Sequence, residues 1–418
     1  MQKSVYFYFL IMIGIPFNFF AQQAIEIPPP EYIKTIQFEQ GGTNLNGIPL
    51  IQLGSSFEVN FDDIIGDEAF YYYQIKYYNF DWTPTQLSRN EYLDGIDDIR
   101  IQDIENSLNA LQIYTHYRIR FPNQNVRRLK VSGNYIFELY NDNEELVFTK
   151  KFILYEQNVT IQAEIKRARD IKFINQKQNV QFTINTDDLL IINPEKNLKT
   201  LILQNQNINT AITNLKPQYT IGSKFIFKYN EESSFWAGNE YWNFDNKDVR
   251  NATVNISHIE LKDIYHNHLY THFPRKNRVY TYNPDINGNF VIRNISATNY
   301  DIEAEYVWLH FSLRTPQVKD KEVHLYGNFN SFAQDESTLM TYDSPNRSYI
   351  LKRLFKQGFY NFKYVLKNTN GEIELGAFSG DFDKTENEYN IITYYRGPGE
   401  RYDRIIGIGT ANSATITN

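Results

Sequence analysis

The feature that most constrains this chain is an alternation of apolar and polar residues with a period of two, repeated along its length. In VTIQAEIKR (159–167), Val159, Ile161, Ala163 and Ile165 fall on one face, and Thr160, Gln162, Glu164 and Lys166 on the other. VQFTINT (180–186) repeats the pattern with Val180, Phe182 and Ile184, and KFIFKYN (224–230) with Phe225, Phe227 and Tyr229. Successive side chains of a strand point to opposite faces, so each run makes a half-buried strand with its apolar face inward. Turn-forming clusters separate the runs: Gly133-Asn134, Asn141-Asp142-Asn143, Asn287-Gly288-Asn289 and Asn368-Thr369-Asn370-Gly371. Many short strands with frequent turns predict an all-β chain of tandem immunoglobulin-like/early-set β-sandwich domains. No long amphipathic helix stands out; the best short candidate is IQDIENSLNALQ (101–112), where Ile101, Ile104, Leu108 and Leu111 have helical spacing.

At about 150 residues per domain, the 418 residues predict about three domains. A positive start at Lys3, the apolar run SVYFYFLIMIGIPFNFF (4–20) and the small Ala21 read as a signal peptide over 1–21, with Gln22 as the new N-terminus. The first β-sandwich domain is expected at 22–157, a second β-rich domain at 158–300 and a third, early-set-like β-sandwich at 301–408. A polar tail is expected at 409–418. The absence of Cys excludes disulfides, thiolate metal sites, Cys nucleophiles and a lipid anchor on an N-terminal Cys. No later run is long and apolar enough to span a bilayer as a helix, so the expected product is exported and held at a membrane only through a partner. A net charge of −7 argues against nucleic acid as that partner.

Candidate chemistry is sparse. SSFWAGNEYWNF (233–244) packs two Trp, one Tyr and two Phe around Gly238-Asn239-Glu240. Such a density of aromatics fills a domain junction or anchors a partner, and Trp236, Tyr241, Trp242 and Phe244 are the candidate contact residues. YHNHLYTHF (265–273) puts His266 and His268 on one strand face, with His272 able to return across a turn. It lacks a complete metal-binding motif and is read as a solvated polar face, so no metal and no cofactor is expected. The pairs Asp62-Asp63, Asp97-Asp98 and Asp187-Asp188 point to opposite faces of a strand and are read as turn caps. GIGT (407–410) lacks the third Gly of a dinucleotide loop and is read as linker. A hydrolase would have to be built on isolated acids such as Glu240 or Asp263. VHLYGNFNSF (323–332) followed by LKRLFKQGFYNFKYVLKN (351–368) looks like the early-set sandwich of glycogen-binding modules. That gives a second reading, a periplasmic or surface carbohydrate-binding protein using Phe332, Tyr360 and Tyr364, with Phe332 where such modules typically carry Trp.

Taken in order, these stretches resemble the plug-protein family of the type IX secretion system of Bacteroidota. The likeness rests on YYYQIKYYNFDWTPTQLSRNEYLDGI (71–96), YTHYRIRFPN (114–123), SGNYIFELY (132–140) and FTKKFILYE (148–156). It continues through FWAGNEYWNFDN (235–246), YNPDINGNFVIRN (282–294), AEYVWLHFSL (304–313), VHLYGNFNSF and FKQGFYNFKYVL (355–366). Two positions depart from the family's usual pattern: Trp242 follows GNEY where Arg is common, and Phe332 stands where Trp is common. The resemblance implies a non-enzymatic protein of the periplasm, peripheral to the inner face of the outer membrane. Its partner would be the giant outer-membrane β-barrel translocon, whose periplasmic end it binds and seals. Phe332 joins Trp236, Tyr241, Trp242 and Phe244 as a candidate partner-binding residue.

Overall fold

The computed structural model describes residues 23–45, 47–187 and 189–416. The signal peptide expected at 1–21, Asp188 of the third acid pair and the last two residues of the expected tail lie outside them. Among the described residues strands dominate, helices are turns of three or four residues, and no helix is long and apolar enough to cross a membrane. The alternating runs become strands: Thr160–Arg167 and Lys177–Asn185 pair antiparallel, and Lys224–Phe227 adds to the second of them. The helical spacing of 101–112 does not become a helix. Asp103–Asn106 is an edge strand beside Thr115–Phe121, Ile101 enters the core, and Leu108 and Leu111 stay exposed.

The strands form three sandwich lobes. In the first, a five-stranded sheet built on Ile33–Gln40, Phe57–Asp63 and Thr115–Phe121 faces another built on Tyr71–Tyr78, Gly133–Asn141 and Leu146–Tyr155. Aromatics fill the space between them: Phe61 stacks on Tyr117 at 4.9 Å, and Phe57 on Phe121 at 5.0 Å. In the second lobe the Thr160–Arg167 and Lys177–Asn185 strands face a sheet ordered Asn207–Thr213, Leu198–Gln204, Glu388–Tyr395, Arg404–Asn412. The third lobe sets the long Gly358–Asn368 strand and its neighbours against a sheet centred on Tyr306–Arg314 and Ser348–Lys356.

The sheets therefore do not follow the linear division at 300 and 408. Leu198–Gln204 pairs in full register with Glu388–Tyr395, nearly two hundred residues later, so the end of the chain completes the second lobe. The third lobe is inserted into the second, starting at Trp242–Asp245, which pairs with Gly358–Asn368. The stretch GIGT (407–410) lies inside the Arg404–Asn412 strand and is not a linker. Its glycines let that strand pass close over its neighbour: a Cβ on Gly407 would lie 2.5 Å from Val159 Cγ2, and one on Gly409 2.6 Å from Ile161 Cβ. The expected break at 408/409 is thus strand, and Ser413 is buried beyond it.

Candidate functional site at the lobe crossover

The segment FWAGNEYWNF (235–244) is where the chain leaves the second lobe and enters the third. Ser234–Trp236 pairs with Lys177–Asn185 in the second lobe, and Phe235 packs on Tyr389 at 5.3 Å. Six residues later Trp242–Asp245 is a strand of the third lobe, and Phe244 stacks on Tyr360 at 4.9 Å. Between them the backbone turns at Gly238, whose φ of +68° favours glycine. The chain returns through 379–388 alongside. Asn239 Nδ2 donates to Ser379 O at 2.7 Å, Phe382 N to Gly238 O at 2.8 Å, and Asn387 Nδ2 to Ala237 O at 2.9 Å. Gln178 closes the junction from below, donating to Asp383 O and Thr385 O and accepting from Tyr389 Oη at 2.7 Å.

A charged cluster sits on this crossover. Glu240 is 1% exposed; it accepts from Tyr280 Oη, and its carbonyl accepts from Arg275 Nη2. Burial raises its carboxyl above the ordinary range, partly offset by the Tyr280 bond, while the nearby Asp285 charge raises it further. Asp285 is raised mainly by burial as well, and accepts from the backbone of Tyr241 and Asn287. The Lys363 ammonium lies 3.9 Å from the Tyr241 ring centre; burial lowers it to about 8, against the pull of Asp285 and Asp381. Two facing acids with raised pKa can in principle exchange a proton. Here both are engaged by backbone and side-chain donors, and neither lines the large cleft between lobes nor the groove on the third lobe's outer face. The arrangement ties two crossing segments together. The sequence hid it because Asp285 sits in an Asn-Pro-Asp stretch, Arg275 in an irregular segment and Lys363 in a distant strand.

The sequence-derived contact residues separate. Phe244, 1% exposed, and Phe332, 2% exposed, are core side chains, and Tyr241 is buried against Gly288. Trp242 is half-buried, with Arg275 3.9 Å above its ring. Trp236 alone of the five is open to solvent, at 47%, flanked by Phe173 and by Lys177 at 4.5 Å. Tyr360 and Tyr364 are also buried, and Phe332 packs on Tyr326 at 5.1 Å. The aromatic platform that a sugar would need is therefore inside the third lobe. Asp263 is exposed in a hairpin turn, away from the crossover.

Of the three expected histidines, His272 does not join the others. It bonds Tyr364 Oη at 2.9 Å and packs on Trp242, and burial, with the Arg275 charge added, pushes it down to about 4. His266 and His268 meet His310 and His258 from neighbouring strands instead. His268 lies 4.0 Å from His310 and 4.2 Å from His258, ring centre to ring centre, the planes nearly parallel. Burial is the main cause holding His266, His268 and His310 below the usual imidazole value, His310 at about 4.

All three lobes also meet around a cleft of about 760 Å³, bordered by the extended segment 23–31 and by Lys34, Phe329, Arg353 and Lys356. Burial, and secondarily the Arg353 charge, lowers Lys34 to about 8. Asp62 accepts from two residues that border the cleft, Lys356 Nζ at 2.6 Å and Tyr306 Oη at 2.6 Å, and pairs with His116 Nδ1 at 2.7 Å. Asp62 is thus a buried lobe-to-lobe tie rather than a turn cap. Asp63, on the opposite face, does cap Ile65 N and also accepts from Tyr71 Oη.

Comparison with known proteins agrees with this architecture. The family described as "Type 9 secretion system plug protein 1st domain" matches residues 33–156, the first lobe. A crystal structure of a hypothetical protein from Parabacteroides merdae aligns over 94% of this chain and 100% of that one, with 32% identity and a TM-score of 0.89. No curated protein matches the chain. The family match carries a role in type IX secretion, association with a secretion component and a place in the cell envelope. The chain belongs to the plug-protein family of the type IX secretion system.

Proposed function

We propose that this chain is a non-enzymatic plug that binds the periplasmic end of the giant outer-membrane β-barrel translocon and seals it when no cargo is passing. The observation that carries the reading is that each lobe is fastened to both others. Asp62 and Lys356 join lobes one and three, and the Gly238–Asn239 turn and the returning segment beside it join two and three. Between lobes one and two, Phe80 N donates to Asp403 at 3.1 Å and Tyr394 Oη donates to Asn134 Oδ1 at 2.8 Å. A stopper for a pore that passes folded proteins has to resist deformation, and a body braced at every pairwise contact does so. Its acids at the crossover are engaged in bracing, which suits a protein without catalysis. Trp236 is the proposed partner contact, since an exposed Trp beside a second aromatic and a cation is the composition of an interface anchor.

The test is purification through a tag on the C-terminal residues from detergent-solubilised outer membranes of the native host. Co-purification with one very large barrel protein, free of export cargo, is the expected result. Recovery as an isolated protein that makes no such complex overturns the plug. Trp236→Ala is expected to weaken the complex about tenfold or more while leaving the urea midpoint unchanged.

A further inference from the structure

The outer face of the third lobe carries a cluster of imidazoles that the proposed plugging does not use. His266 and His268 project from Tyr265–Leu269, His310 from Tyr306–Arg314 and His258 from Ile256–Leu261, three strands side by side in one sheet. The parallel register sets His268 opposite His310, and the antiparallel register sets it opposite His258. Leu269 and Leu309 on the same strands pack into the core, so the histidines occupy the other face. His266 Nδ1 and His310 Nε2 are 2.9 Å apart. One ligand atom from each of His266, His268 and His310 lies within 4.8 Å of the others. His268 Nε2 is buried yet has no hydrogen-bond partner among the described residues.

We propose that His266, His268 and His310 bind one divalent late-transition-metal ion, zinc in preference, on the outer face of the third lobe. Three neutral imidazoles are a common donor set for zinc, with Zn–N bonds of about 2.0–2.1 Å, and a tetrahedral site places its nitrogens about 3.3 Å apart. The His266–His310 pair is already nearer than that, and a side-chain rotation brings in the third ring. The ring that donates the proton in the His266–His310 bond shifts it to its other nitrogen, so loading needs no net deprotonation. An ion also supplies the partner that His268 Nε2 lacks. Lys352 and Lys262 add positive charge around the cluster, and Asp263 adds negative charge. Glu260 stands 3.8 Å from His268 Nε2 and 3.6 Å from His258 Nε2, placed to offset the ion's charge. A groove bordered by His258, His268, His310 and Lys352 leaves the site open to solvent. The site is independent of translocon binding, so either proposal can fail alone.

The test uses the full mature chain with its affinity tag removed and stripped with a chelator. Zinc chloride is titrated calorimetrically, and cobalt(II) is followed by its visible absorption. One saturable equivalent of zinc and a tetrahedral-type cobalt spectrum are expected. His310→Gln and His266→Ala should each weaken zinc binding about tenfold or more, with unchanged far-ultraviolet circular dichroism. His258→Ala should change it by no more than about threefold, since that ring belongs to the neighbouring His258–Glu260–His268 group. No saturable binding overturns the site. Equal binding by wild type and His310→Gln overturns it too, as does a loss in His258→Ala as large as that in His310→Gln.

Discussion

The seam between lobes one and two and the seam between lobes one and three join the same lobe to its neighbours with different emphasis, the first mainly apolar with the buried Asp403 beside it, the second centred on an ion pair. The first is a second hydrophobic core: Ile136, Ile153 and Trp82 from lobe one meet Leu201, Leu203, Ile392, Tyr394 and Ile405 from lobe two. The second is centred on charge. Lys356 and Asp62, both essentially inaccessible, are surrounded by Tyr306, Tyr114 and His116, and Lys356 also donates to Asp301 O at 2.6 Å. An apolar seam tolerates small shifts, because its contacts are non-directional. A buried ion pair holds one geometry only, because each charge must keep its partner or sit desolvated. The apolar seam therefore supplies adhesion, and the ionic seam fixes where the third lobe sits.

Breaking the pair on one side should have the largest effect. Lys356→Met leaves the Asp62 carboxylate buried without its cation and is expected to cost about 3–5 kcal/mol in urea unfolding. Adding Asp62→Asn should recover most of that loss, to within about 1–2 kcal/mol of wild type. If the double variant is as weak as the single one, the seam depends on shape rather than charge and the contrast collapses. In the apolar seam, Leu203→Ala removes a fully buried side chain and should cost about 2–4 kcal/mol. No second substitution in a partner residue should restore it.

The two seams should also part at low pH. Burial by itself would raise Asp62, but the Lys356 charge and the His116 hydrogen bond outweigh it and hold the carboxyl below its ordinary value. The unfolded chain then binds the proton more readily than the folded one. The stabilisation is complete above about pH 4 and is lost as the pH falls through the folded-state value. The urea midpoint of Asp62→Asn should therefore lie below wild type at pH 7, and the gap should narrow below about pH 4. The gap between Leu203→Ala and wild type should stay constant over the same range. A parallel acid dependence in both variants would mean that Asp62 titrates no differently in the fold.

What was legible in the sequence follows from local chemistry. Period two placed Val180, Phe182 and Ile184 in a core, and it correctly put Asp62 and Asp63 on opposite faces of one strand. It could not say that the outer face bearing Asp62 is covered by another lobe, because nothing near Asp62 in sequence encodes Lys356 or Tyr306. The same limit hid the pairing of Leu198–Gln204 with Glu388–Tyr395, and so the insertion of the third lobe. The 233–244 stretch was legible as dense aromatics at a junction. Which rings face inward was not, because the turn at Gly238 breaks the alternation on which such a reading depends. The helical spacing of 101–112 misled because only Ile101 is buried, and Asp103–Asn106 is claimed by the edge of a sheet.

The smallest expected effect separates charge from burial. Arg401 and Glu91 also bridge two parts of the chain far apart in sequence, but their side chains are 55% and 37% exposed. Water screens such a pair and the long side chains lose freedom to make it, so its net contribution is small. Arg401→Gln should leave the urea midpoint unchanged within error at 0.15 M salt or above, a condition of about 8 Å screening length. Were Arg401→Gln to destabilise as much as Lys356→Met, a bridging charge would matter wherever it lay. The contrast between the seams would then rest on ion pairing alone. If it does nothing, as expected, then what distinguishes the lobe one–lobe three seam is that its charges have been taken out of water, where losing a partner is costly and the position of the third lobe is correspondingly fixed.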